Sequence, residues 1–266
     1  MKNLLLSLLV LFGASVSSVS AEDISAYLTG EHMDAKSARK KLKSIGYEIL
    51  ATYDSVKNGK TIVFTNDTLK AQGAKENRAH AAVLRLFVDD QEKMISITNP
   101  VYFGRAFMQD DYNENVFNAE LEKLSGEFSD LVGSKDKLDD DDISGFHFMM
   151  AMPYYEDADE LAEGNNAELL AKLNATKSVI FELKLSDKST LVGYKLGEAT
   201  KMFVDKIGRA NAAVLPYCIS VEDGKATSLA AKYYLAVSYP LLTMGEFMGI
   251  SDVPDAITKD LEKPFH

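Results

Sequence analysis

The hydrophobic positions along this chain switch between the 3.6-residue period of a helix and the two-residue period of a strand, and the order of switching recurs. Residues 23–29 alternate weakly and predict a short strand that Gly30 breaks. From Asp34, a side chain suited to capping a helix, Ala38, Leu42 and Ile45 share one face until Gly46 supplies a stop. Strands follow at 47–53 and 61–65, turning at Lys57-Asn58-Gly59-Lys60 because Asn-Gly tolerates the positive φ of a hairpin. A helix at 67–75 leads to strands at 82–88 and 94–98. Pro100 cannot continue the ladder, and a short helix carrying Phe103, Phe107 and Met108 closes the half.

The second half predicts the same series: a strand at 143–155, a helix at 166–173, strands at 178–185 and 190–196, a helix at 198–207 stopped by Gly208, then strands at 214–221 and 226–238. Between the halves, Val116, Leu121, Leu124, Phe128 and Leu131 form a helical stripe that Gly133 is expected to close, and the acidic run 136–142 reads as solvated and mobile. At the end, Pro254 opens a helix with Ala256, Ile257 and Leu261 on its buried face.

The recurrence is also literal. Arg78-Ala79-His80-Ala81-Ala82-Val83-Leu84 returns as Arg209-Ala210-Asn211-Ala212-Ala213-Val214-Leu215, with only His80 against Asn211 differing. Pro100 and Pro240 each precede a Phe-Met pair, Phe107-Met108 and Phe247-Met248, at the same distance. Aligning on those prolines makes the second hairpin nine residues longer, since the spacing from Ala81 to Pro100 is 19 steps and from Ala212 to Pro240 is 28. A period this long marks a duplicated supersecondary unit. The expected division is 22–109 for the first module, 110–142 for a helical and acidic connector, and 143–266 for the second module with its C-terminal helix.

Met1-Lys2-Asn3, the apolar run to Phe12 and the small-residue end at Ala21 read as a signal peptide over 1–21, too short in its apolar part to span a bilayer. Its removal takes away Lys2 and no acid, moving the formal charge from −11 to −12. The expected product is exported, and periplasmic in a Gram-negative cell, without a stable membrane anchor. Its charge opposes nucleic acid and anionic lipid. A homodimer is compatible with the sequence. Cys218 is the one cysteine, so no disulfide forms within the chain, and its apolar neighbours suggest a buried thiol.

The segment from Leu191-Val192-Gly193-Tyr194-Lys195-Leu196 through Leu215-Pro216-Tyr217-Cys218-Ile219 to Glu222-Asp223-Gly224-Lys225 resembles the family catalogued as domain of unknown function number 302. The first half is similar in outline, with Arg85 in place of the proline. The resemblance implies an α+β fold of two pseudo-symmetric β-α-β-β-α-β-β modules with antiparallel-rich sheets, TATA-binding-protein-like. It implies no activity and no catalytic residue.

Candidate chemistry is sparse. His147 and Met149 would share one face of an extended strand, and imidazole with thioether suits copper, although methionine also packs readily in cores. Arg78 and Arg209 precede buried strands, where a guanidinium can bind a ligand carboxylate or cap helix carbonyls. Tyr233 and Tyr239, with Tyr102, Phe103, Tyr234 and Phe247, are suited to line an apolar cleft or to fill a core. No catalytic constellation or cofactor motif accompanies the four histidines. A binding or interaction module for a small apolar ligand or a protein partner therefore stands ahead of a copper-handling protein or an unrecognised enzyme. Function is expected where the copies differ: the second hairpin, Cys218 against Phe87, and His80 against Asn211.

Overall fold

The computed structural model describes residues 23–266, so the predicted leader at 1–21 lies outside the described residues. The first half runs β1 (Asp23–Ser25), β2 (Tyr27–Glu31), α1 (Ala35–Ser44), β3 (Glu48–Val56), β4 (Gly59–Thr65), α2 (Asp67–Gly73), a 3-10 turn (Ala79–Ala82), β5 (Leu84–Asp89), β6 (Met94–Thr98) and α3 (Pro100–Met108). A connector holds α4 (Glu114–Glu127), β7 (Val132–Gly133) and β8 (Lys137–Asp139). The second half runs β9 (Asp159–Glu163), α5 (Asn166–Asn174), β10 (Val179–Lys184), β11 (Ser189–Tyr194), α6 (Glu198–Lys201), α7 (Phe203–Ile207), a 3-10 turn (Arg209–Val214), β12 (Tyr217–Glu222), β13 (Lys225–Ser228) and α8 (Ala231–Ser238). The short α9 (Met244–Met248) and α10 (Val253–Glu262) end the chain.

The result is an α+β protein with antiparallel sheets. One sheet has the order β3-β4-β5-β6-β2-β7 and the other β10-β11-β12-β13-β9. Apart from β7, each half thus places its strands in the same relative order. The local signals behave as their chemistry dictates. The Asp34 carboxylate accepts the Lys36 and Ser37 amides at 2.8 and 2.9 Å, Gly46 takes φ +90°, and Asn58 takes φ +54° at the β3–β4 turn.

The repeated heptapeptide forms the joint between the halves. The turn Ala79–Ala82 packs on β11 and β12, while the turn Arg209–Val214 packs on β5 and β6. Within the first half the same turn lies close on α2, where a β-carbon on Gly73 would stand 2.5 Å from that of Ala82. The helices α3 and α8 also exchange bonds. The third residue of each, Tyr102 and Tyr233, donates its hydroxyl to the carbonyl of the seventh residue of the other, Val237 at 2.9 Å and Ala106 at 3.1 Å. One hydrophobic cluster runs through both halves, from Ala26 to Leu261.

Several expectations are corrected. Residues 143–155 form turns, with Ala151 at φ +67° and Pro153 unable to donate, and the strand lies later, at β9. The predicted strand 226–238 is β13 followed by α8, because residues 229–237 are apolar on nearly every side and a buried helix then has no period to betray it. Pro240 therefore follows a helix whereas Pro100 opens one, and the second hairpin is not the longer. The 198–207 helix is two pieces meeting at Met202, and Ala82 belongs to a 3-10 turn. Gly133 does not close α4; it pairs with Leu28 in the sheet. Nor is 136–142 a free acidic run. β8 pairs with β1, Asp136 is buried with its carbonyl accepting the Ala26 amide at 2.7 Å, and Asp140 pairs with Arg105.

Candidate functional site

Of the residues picked out by chemistry, the tyrosines are structural. Tyr233 and Tyr239 are buried, and their hydroxyls are used by the Ala106 and Gly208 carbonyls, so they line no cleft. Tyr102 and Phe103 are likewise buried in the core, whereas Tyr234, also buried, lines a narrow slot. Arg209 grips Asp89, the last residue of β5, with Nε to Oδ2 at 2.9 Å and Nη2 to Oδ1 at 3.1 Å. The Asp89 side chain is fully buried, so this pair is an internal clasp between the halves. Gly208, at φ +148°, turns the chain from α7 into that clasp. Arg78 meets Asp111 at 3.1 Å and Glu156 at 3.4 Å, with its guanidinium 5.5 Å from the Tyr155 ring centre. Neither arginine caps the preceding helix.

The strand on which His147 and Met149 would share a face is absent. The His147 ring lies tilted at 43° against Tyr154 with ring centres 4.3 Å apart, while Met149 and Met150 are exposed. Among the described residues, no three His, Cys, Asp or Glu side chains converge as a metal site. No helix there is long and apolar enough to cross a membrane.

What the structure does bring together is the set of positions at which the copies differ. His80, Cys218 and Arg85 all line one narrow slot, with Phe107, Tyr217, Leu229 and Tyr234. The repeat turn delivers His80, β5 delivers Arg85, and β12 delivers Cys218. The slot leaves no room for a water molecule between its walls. Through His80 and Leu229 it adjoins an outer chamber of about 130 Å³, which Asn77, Tyr155, Glu156, Ser220, Glu222 and Thr227 help to line. Cys218, Ser220 and Glu222 alternate along β12 and so follow one wall from slot to mouth.

The electrostatics of this site are unusual at its floor. Arg85 is 4% exposed, yet the ionisable groups most strongly felt by it are Tyr234, Cys218 and Tyr27, with no carboxylate among them. Its Nη2 donates to Cys218 Sγ at 3.1 Å and to the Pro216 carbonyl at 3.4 Å, and its Nε has no partner. A guanidinium stays charged even there. Burial raises the Cys218 thiol pKa and Arg85 offsets this only in part, so at neutral pH the sulfur is a thiol. Burial, reinforced by Arg85, holds His80 down to about 3, so its ring is neutral. At the mouth, burial raises the Glu222 carboxyl, and the Asn77 amide, 3.4 Å away, offsets part of that rise. Ser220 Oγ and Tyr217 Oη are buried without partners.

Such a site can offer a cation, neutral imidazole and hydroxyl groups at one end and carboxylates at the other. It holds no nucleophile paired with a base: the thiol is protonated and its nearest polar group is a cation. Sequence reasoning passed over Arg85, although a charged residue inside Val83-Leu84-Arg85-Leu86-Phe87-Val88 is the signal that marks it. No protein-family model, no curated protein and no solved structure matches the chain.

Proposed function

We propose that this protein is an exported binding module, without catalytic activity of its own, that takes a small carboxylate between its two halves. The ligand's acid group pairs with Arg85, and an amino or hydroxyl group at its other end meets Glu222 and Ser220. The observation that carries this reading is the buried Arg85 guanidinium, which has no carboxylate partner and an unused Nε. A charge left unpaired in a core destabilises the fold, and a ligand anion offsets that cost. The slot is too tight for water, so binding requires Leu229 and His80 to shift aside. A polar ligand is favoured by the polar groups that line slot and chamber, Arg85, His80, Ser220 and Glu222.

The common strand order of the two sheets and the reciprocal tyrosine bonds support reading 22–109 and 143–266 as two duplicated modules, TATA-binding-protein-like and similar to domain of unknown function family 302. In that reading the ligand site arose where one copy diverged from the other. Native mass spectrometry of the protein purified from the exported fraction tests the proposal. The expected spectrum carries a bound small acid that is missing from Arg85→Met. A wild-type spectrum free of adducts, even after incubation with amino and hydroxy acids, overturns it.

A further inference from the structure

The strongest surface feature outside the cavity is a basic groove on an acidic protein. Lys36, Arg39, Lys40 and Lys43 fall at i, i+3, i+4 and i+7 of α1, within one face, opposite the buried Ala38 and Leu42. In the first turn Lys36 opposes the helix dipole and is offset in part by the N-cap Asp34 carboxylate. Lys41, on the flank, is held by the Glu127 carbonyl and carboxylate of α4. The four stripe residues have no such partner among the ion pairs of the described residues. Their opposite wall is β3, the edge strand of its sheet, through Ile49, Leu50, Ala51 and Thr52. The open groove between stripe and strand measures about 670 Å³, and Thr52 Oγ1 in its wall is buried without a hydrogen-bond partner.

From this arrangement we infer that the α1–β3 groove docks an extended acidic peptide segment of a partner protein, with its carboxylates on the α1 stripe and its apolar side chains on Ile49, Leu50 being packed against the cluster that includes Phe181 and Leu183 of β10. Charge complementarity selects the occupant. The chain carries a formal charge of −11, so a stripe of four cations, none of them in an ion pair among the described residues, is matched by an anionic partner. The concave, two-walled shape suits a chain rather than a plane. A flat anionic membrane would bring its charge against the acidic remainder of the surface, whereas a short peptide confines its charge to the groove. A second copy of the chain, equally acidic overall, is repelled at long range for the same reason.

Fluorescence anisotropy with a labelled peptide of alternating glutamate and valine, added to the processed full-length chain, tests the inference. Saturable binding that weakens as salt rises is expected, with a loss of about tenfold or more in Lys40→Glu/Lys43→Glu. The variant's melting transition confirms that it is folded, and a lysine-valine peptide should then prefer the variant. No binding of the acidic peptide by wild type, or unchanged binding by the folded variant, overturns the inference. So does binding to phosphatidylglycerol vesicles without peptide binding, or self-association abolished by the same substitutions.

Discussion

The two joints between the halves are built from the same heptapeptide, yet one is sealed and the other is open. At the sealed joint, Arg209 clasps the buried Asp89, and Asn211 donates to Asp136 Oδ2 at 3.1 Å and to the Ser238 carbonyl at 2.9 Å. At the open joint, Arg78 is divided between the exposed Asp111 and Glu156. The residue corresponding to Asp89 by strand position, Glu222, receives only the Asn77 amide from the facing turn. His80 stands where Asn211 stands in the sealed joint, and it faces a chamber. One joint therefore closes on a buried ion pair, and the other leaves a small chamber of about 130 Å³.

Breaking the sealed joint should have the largest effect. Asp89→Asn removes the buried carboxylate, leaving the Arg209 guanidinium only the more exposed Asp205 at 3.1 Å, and should lower unfolding free energy by about 3 kcal/mol in urea titration. A change under 1 kcal/mol in that assay would show that the clasp contributes little. Next come the exchanged tyrosines. Tyr102→Phe strands the buried Val237 carbonyl and should cost about 1–2 kcal/mol, whereas Tyr233→Phe leaves the Ala106 carbonyl its 2.7 Å bond from Gln109 Nε2 and should cost less. Equal costs would show that the Gln109 bond does not compensate. Arg78→Met at the open joint should cost only about 0.2–1 kcal/mol, because its carboxylate partners are exposed.

The smallest effect concerns pH. The Glu222 carboxyl is raised in the folded state, so the stability it contributes is fully present below its unfolded pKa and is lost as pH rises through the folded value. Glu222→Gln should therefore melt slightly higher than wild type at pH 7, with the difference closing below the ordinary glutamate range. A variant that melts lower at pH 7 would assign Glu222 a stabilising role instead.

Much of the fold was legible because its signals are local. Asp34, Gly46, Asn58 and Gly208 each act on their own backbone, and each marks a boundary close to where it was expected. The helix α8 was not legible, since Ala231 to Ser238 is buried almost throughout and strand and helix then look alike. Residues 143–155 misled for a different reason: an apolar run was taken as a strand although the segment has no neighbouring strand to pair with. The comparison of copies pointed to His80 and Cys218. It could not show that they meet across a joint 138 positions apart in the chain, nor that Arg85 lies between them. The third dimension supplies that juxtaposition.

If Arg85 is held for a ligand, as proposed, thermal melting of wild type and Arg85→Met with and without small amino and hydroxy acids will show it. Without ligand, the variant should melt as high as wild type or higher, because methionine removes an unpaired buried charge. With ligand, only the wild type should shift upward. A variant that is strongly destabilised without ligand, or that keeps the ligand-induced shift, would contradict the claim and make Arg85 a structural residue.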